Sequence, residues 1–222
     1  MRPAPQTSGM PSKRFWIIWG LGFCLWAGLL AVASPYDLPL SLAIADPHLP
    51  FARLVATFGE WPSWIVIIFA LIILIARPKP DSRLYPMKTA SLSLIIQALL
   101  HPLLIIQSIK FFWGRVRFVS LLPDYSNYTP FYIPAGPFIS ESLPSGHVAM
   151  AFVLTPLVFY SARACSWKNS LLVMLVVLVY GLAVAYGRIL AGAHYLTDCI
   201  FSMGSSFLIA AVLMRFLLNR EK

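Results

Sequence analysis

Charge is the scarcest commodity in this sequence. Its 222 residues hold 17 Lys and Arg and only 8 Asp and Glu, so 11% are charged, whereas soluble domains carry about a quarter. With 59% hydrophobic residues and a mean hydropathy of +0.77, too few charges remain to cover a surface in water. A soluble globular enzyme is excluded. Cysteine is scarce as well: Cys24 and Cys199 lie in apolar runs and Cys165 in a short polar break, which argues against a disulfide scaffold and for three unpaired thiols. Internal repeats, low-complexity tracts and a soluble domain are absent. The abundance of Leu, Ile, Val and Phe excludes disorder.

What the chain has in excess is apolar runs. A spanning helix needs roughly 20 mostly apolar residues, and six stretches qualify as candidates: Phe15–Ser34, Pro62–Ala76, Thr89–Trp113, Gly146–Ala164, Ser170–Gly187 and Leu196–Leu218. The second is short, about 22 Å at the helical rise, so it begins earlier, near Leu54, or lies tilted inside the bundle. The expectation is an all-α bundle of six transmembrane helices forming one domain over residues 15–218, with tails at 1–14 and 219–222. An even number of spans puts both termini on one side. Placing them in the cytoplasm leaves twelve Lys and Arg inside and five outside, the latter being Arg53, Lys110, Arg115, Arg117 and Arg188, as the positive-inside rule requires. Arg2, Lys13 and Arg14 followed by an apolar run and Ala31-Val32-Ala33 also have the look of a signal peptide. The run exceeds the usual ~7–15 residues, which favours an uncleaved anchor. The net charge of +9 is then mostly topology, and no basic stripe with interleaved aromatics supports nucleic-acid binding.

Three stretches carry chemistry, and this topology puts all three at the outer face. In IKFFWGRVRF, Lys110 and Arg117 are seven residues apart. If the third helix continues they share one face two turns apart and can hold one anion, or else snorkel to headgroups. A Pro- and aromatic-rich loop of about thirty residues, long enough to imply function or mobility, then ends in Leu143-Pro144-Ser145-Gly146-His147. Ser145 and Gly146 stand where a helix begins, so backbone N–H groups, the hydroxyl and the helix dipole converge on a phosphate-like anion; an ordinary Ser N-cap beside an interfacial His is the plainer alternative. Between the fifth and sixth runs, His194 and Asp198 are four apart. On a helix face the carboxylate would accept a proton from one ring nitrogen and present the other nitrogen outward, the layout of an oriented nucleophile or base. A purely structural pair is the alternative. Asp198 is the only acid within any of the six predicted spans, where an unpaired acid is costly enough to imply function. Three cations, a helix start and two histidines at one depth describe a phosphoryl-transfer site.

Taken together, Lys110…Arg117-Phe118, Pro144-Ser145-Gly146-His147 and Gly187-Arg188…His194…Asp198 resemble the three signature motifs of the type 2 phosphatidic acid phosphatase superfamily. The departures are Phe118 for the usual Pro and Gly187 for the usual Ser; neither removes a charged group, and the second would weaken one phosphate contact. The resemblance implies that His194 attacks phosphorus to form a phosphohistidine, with Asp198 orienting it, and that His147 protonates the leaving group and later activates water. It implies that Lys110, Arg117, Ser145, Gly146 and Arg188 hold the phosphoryl oxygens, and that neither a metal nor another cofactor is required. Arg115 is a secondary candidate, off the shared face.

The implied protein is a lipid phosphatase of a bacterial cytoplasmic (inner) membrane whose active site faces the exterior or periplasm. Its substrate would be undecaprenyl diphosphate, phosphatidylglycerophosphate, phosphatidic acid or a lipid A phosphate, and its partners that lipid and the bilayer. A lipid phosphotransferase using the same site is the alternative within the class, and an anion-binding or transport protein the alternative outside it; the oligomeric state is open. Phe111, Phe112, Trp113, Tyr125, Tyr128, Phe131 and Tyr132 are candidates for an aromatic rim or an ordinary interfacial belt. His101, before Pro102, is expected at a kink with backbone or water partners. His48, Asp37, Asp46 and Glu60 fall in the first outer loop as solvated or lid residues, and Glu141 reads as a solvated loop acid or a group that tunes the histidines.

Overall fold

The computed structural model describes residues 12–82, 84–164 and 167–219. Residues 1–11 of the expected tail, Arg83, Cys165 and residues 220–222 lie outside the described residues. Within them the chain is helical, with no strand. Helix α1 (Ser12–Ala33) passes through a 3-10 turn into α2 (Asp37–Ile44), and α3 (Pro50–Phe58) and α4 (Trp61–Ile75) follow. A rod of α5 (Met87–Ala98), a π-helical stretch (Leu99–Ile106) and α6 (Gln107–Trp113) leads to the long loop. After it come α7 (Gly146–Ala151), a 3-10 turn, α8 (Thr155–Ala164), α9 (Trp167–Leu190) and α10 (Leu196–Asn219).

Each of the six expected apolar stretches is helical. Five helical runs are long and apolar enough to cross a membrane: Lys13–Ile44, Pro50–Ile75, Met87–Ser120, Trp167–Leu190 and Leu196–Leu217. The remaining one, Gly146–Ala162, is apolar but shorter. The second expected span is preceded by α3, which starts at Pro50, a residue whose missing N–H suits a first helical position. Large apolar side chains such as Leu21, Ile68, Phe69, Leu103 and Val179 are exposed. In water such a surface would drive association; in a bilayer it faces lipid, and helices satisfy their own backbone groups there.

The interior is packed through small residues and side-chain hydrogen bonds. Phe152, Val148 and Val153 are fully buried, and a Cβ at Gly181 would collide with the Phe152 ring, so glycine is what lets α9 approach it. Helix α1 is fastened to α10 by Trp19 Nε1 donating to the Leu208 carbonyl at 3.0 Å and Trp26 Nε1 to that of Ile200 at 3.1 Å. Pro102 cannot donate to the preceding turn, and the rod relaxes there into the π-helical stretch. The expected backbone or water partner of His101 is instead a side chain: its Nε2 lies 2.8 Å from Ser205 Oγ. Beside it Gln97 Nε2 donates to the carbonyl and hydroxyl of Ser206. Cys24 is exposed and Cys199 buried, both as free thiols.

Candidate active site

The ends of α2, α6 and α9 and the starts of α7 and α10 converge at one end of the bundle. The Asp46 N–H donates to the Leu190 carbonyl at 2.7 Å, and the Ser145 N–H to the Asp198 carbonyl at 3.3 Å.

His194 and Asp198 do not share a helix face, because α10 starts only at Leu196. Asp198 sits in its first turn and reaches back, its Oδ2 accepting the Tyr195 N–H at 2.9 Å, the reciprocal arm of a capping box. His194 Nδ1 lies 2.6 Å from the Ser142 carbonyl oxygen and 3.8 Å from Asp198 Oδ2. The expected direct carboxylate–imidazole hydrogen bond is therefore replaced by one to a backbone carbonyl. That carbonyl can only accept, so Nδ1 carries the proton and Nε2 keeps its lone pair. Ser142 completes the arrangement by donating its hydroxyl to Asp198 Oδ2 at 2.5 Å. Burial, with Lys110 and Arg188 nearby, lowers His194 to about 4, so the imidazole is neutral at physiological pH.

The shared helix face expected for Lys110 and Arg117 is also corrected. Helix α6 stops at Trp113, and Gly114 is left-handed at φ 66°, where a Cβ would run into the Gly136 carbonyl. The chain then runs extended to Arg117. Lys110 remains at the site by another route: it is buried, its Nζ donates to the Glu141 carbonyl at 3.0 Å, and it lies beside Gly146, where a Cβ would sit 3.7 Å from Lys110 Cε. Arg117 has one long contact, 3.6 Å to Glu141 Oε2. The buried Nε atoms of Arg117 and Arg188 have no hydrogen-bond partner among the described residues.

Arg115, a secondary candidate from sequence, is fully buried and fully engaged. Its NH1 donates to Asp198 Oδ1 at 2.6 Å and to Thr197 Oγ1 at 2.9 Å, its NH2 to Asp37 Oδ2 at 2.8 Å, and its Nε to the Thr129 carbonyl at 3.0 Å. Its guanidinium lies 4.1 Å from the Tyr195 ring centroid. Asp37 was expected in the first outer loop as a solvated or lid residue, yet it is buried within the first apolar helical run and also accepts the Thr197 N–H and hydroxyl. Sequence reasoning missed Asp37, Ser142 and Thr197; the only available signal was an acid ending a long apolar run.

Ser145 is the N-cap of α7, its Oγ accepting the Val148 N–H at 3.5 Å. His147 Nδ1 is 3.2 Å from Glu60 Oε1. Gly187 has a packing reason: a Cβ there would overlap Val55, so glycine lets α3 lie against α9. Phe118 follows Arg117, which stands at φ −72°, ψ 150°, a conformation that proline also asks of its predecessor. Of the expected rim, Phe111, Phe112, Tyr125 and Tyr132 are exposed, whereas Tyr128 packs edge-on against Tyr195 at 5.6 Å.

These features define a class first: an all-helical, multi-pass membrane protein in which two histidines and three cations gather where several helices end. The chain belongs to the PAP2 superfamily, whose family model matches residues 89–222, more than half of the sequence and all three motif stretches. Membership supports phosphatase activity on phosphate esters. No curated protein and no solved structure gives a match.

Proposed function

We propose that this chain is an integral-membrane lipid phosphatase that works through a phosphohistidine without a metal. The observation that carries this reading is His194: Nδ1 is committed to the Ser142 carbonyl, leaving Nε2 as a neutral nucleophile next to cations with unfilled donors. In the proposed mechanism Nε2 attacks phosphorus, and Asp198 acts on it through Ser142, whose hydroxyl it holds and whose carbonyl fixes the ring. His147 protonates the leaving oxygen and then takes a proton from the attacking water. Lys110, Arg117, Arg188, the Gly146 backbone and Ser145 hold the phosphoryl oxygens, each such donor being worth about 2.7–4 kcal/mol in a preorganised site.

The lipid part of the proposal draws support from a mostly apolar groove of about 290 Å³ lined by Glu60, Ile67, Ala98, Leu99, Pro102, Leu103 and Gly146. It runs from beside the phosphate region down the face between α4 and the π-helical stretch, the shape a lipid chain needs when its phosphate is held at the helix ends. We also propose six spans, with Gly146–Ala164 as the fourth. Both termini are then cytoplasmic and the site faces outward, as the distribution of basic residues favours.

Purified protein in detergent should release phosphate from lipid phosphates without added divalent metal, vanadate should inhibit it, and brief turnover should trap acid-labile phosphate on the chain. Full activity in His194→Ala would sink the nucleophile assignment. A panel of lipid phosphates and diphosphates, with and without a lipid acceptor, separates hydrolysis from transfer. Labelling of a Ser126→Cys variant only from the cytoplasmic side would reverse the orientation.

A further inference from the structure

His147 leans on the turn between α3 and α4. Its Nε2 lies 3.2 Å from the Ala56 carbonyl oxygen and its Nδ1 3.2 Å from Glu60 Oε1. The carbonyl can only accept, so Nε2 bears a proton. A second proton lies between Nδ1 and Glu60, since two bare acceptors would repel at that distance.

The local sequence builds this contact. Gly59 ends α3, where a Cβ would collide with the Val55 carbonyl. Tyr180 of α9 donates its hydroxyl to the Gly59 carbonyl at 2.7 Å, and Ser63 Oγ lies 3.2 Å from that hydroxyl. Trp64 Nε1 donates to Glu60 Oε2 at 3.4 Å, which leaves Oε1 for His147. Gly187 lets α3 close onto α9 and so brings Ala56 and Glu60 to the imidazole. The other charged groups facing His147 are Arg188 of α9 and Lys110 of α6, and both oppose a positive imidazolium. Among the described residues Glu60 is the carboxylate within ion-pair distance.

We propose that Glu60 is a positioning residue that keeps His147 in its proton-donating form, and that the Nε2 proton, resting on the Ala56 carbonyl in this structure, turns to the leaving-group oxygen when substrate is bound. This rests on the phosphatase reading above. As His194 Nε2 bonds to phosphorus, the ester P–O bond breaks, its electron pair goes to the leaving oxygen, and that oxygen takes the Nε2 proton of His147. The neutral imidazole keeps its Nδ1 proton on Glu60. In the second half, His147 Nε2 takes a proton from water as the water oxygen bonds to phosphorus. The P–N bond breaks, its pair returns to His194, phosphate leaves, and His147 has its proton back.

The test compares kcat/KM for two esters that carry the same chain, octyl phosphate, whose alkoxide must be protonated to leave, and 4-octyl-2-nitrophenyl phosphate, whose phenolate leaves unaided. Glu60→Gln should lower kcat/KM for the alkyl ester about 10- to 100-fold and for the aryl ester less than about threefold. The alkaline limb of the alkyl-ester profile should move to lower pH. Glu60→Asp should recover part of the alkyl activity, and the retained aryl activity certifies an intact fold. Equal losses on both esters in Glu60→Gln and Glu60→Asp, or no loss in Glu60→Gln, would overturn the role of Glu60 and leave the phosphatase reading standing. A wild-type protein inactive on both would overturn that reading and this inference with it.

Discussion

Two groups of charges meet at the same end of the bundle, and they are built on opposite plans. Around Arg115 every guanidinium nitrogen has an acceptor, two of them from the buried carboxylates of Asp37 and Asp198, and the face is covered by Tyr195. Only two residues further on, Arg117 makes a long, half-exposed contact with Glu141 and leaves its buried Nε without a partner among the described residues, as Arg188 does. An arginine whose three nitrogens all have buried acceptors has little left to offer a ligand, whereas buried donors left open are costly unless something fills them. The first group carries one cation against two acids, and in the second Glu141 faces one of three cations. His194 lies against both, its ring fixed near Asp198 and its charge disfavoured by Lys110 and Arg188.

The sharpest way to break this contrast is to exchange its consequences. Arg115→Met should leave two buried carboxylates without their cation, at a cost of about 3–5 kcal/mol, read as a large drop in thermal unfolding temperature in detergent. Arg188→Ala should do the reverse: kcat/KM for a lipid phosphate falls about 10²–10³-fold, while the unfolding temperature holds, because a cation without an ion-pair partner among the described residues is removed. If Arg188→Ala unfolds the protein and Arg115→Met merely slows it, the division between the groups is wrong.

A third consequence concerns pH. The folded pKa of His194 is lowered to about 4, so the proposed nucleophile is lost only as pH falls through that value. Between pH 7 and pH 5, kcat/KM corrected for the second ionisation of the substrate phosphate near 6 should change less than about twofold. An imidazole of ordinary pKa, about 6.5, would lose about 25-fold over the same interval. A steep loss above pH 5 would place His194 outside the buried environment that joins the two groups.

The open group was legible in the sequence, and most of the closed one was not. Lys110, Arg117, Ser145, Gly146, His147, Arg188 and His194 stand out by type and spacing, as Asp198 does in the closed group, and the apolar runs that position them are long enough to be read from composition. The closed group is assembled by pairings between residues 78 to 160 positions apart, such as Arg115 with Asp37 and Asp37 with Thr197. No local pattern encodes those. Where spacing misled, the reason was backbone conformation: Gly114 turns left-handed between Lys110 and Arg117, and His194 precedes the first turn of α10. Both pairs of residues lie at the candidate site, but neither is held there by the helix periodicity that singled it out.

Glu141 supplies the smallest test, because it is the acid that faces Arg117. Its carboxylate is 66% exposed and 3.6 Å from Arg117, a contact that screening and side-chain entropy hold to about 0–1 kcal/mol. Its backbone carbonyl, not its side chain, receives Lys110, so Glu141→Gln leaves that bond in place. The substitution should leave the unfolding temperature unchanged. It should tighten inhibition by vanadate about two- to threefold at low salt, because an anion then meets Arg117 without a competitor, and the gain should fade as ionic strength rises. Weaker vanadate inhibition in Glu141→Gln would mean that the carboxylate aims Arg117 at the anion and belongs to the closed plan.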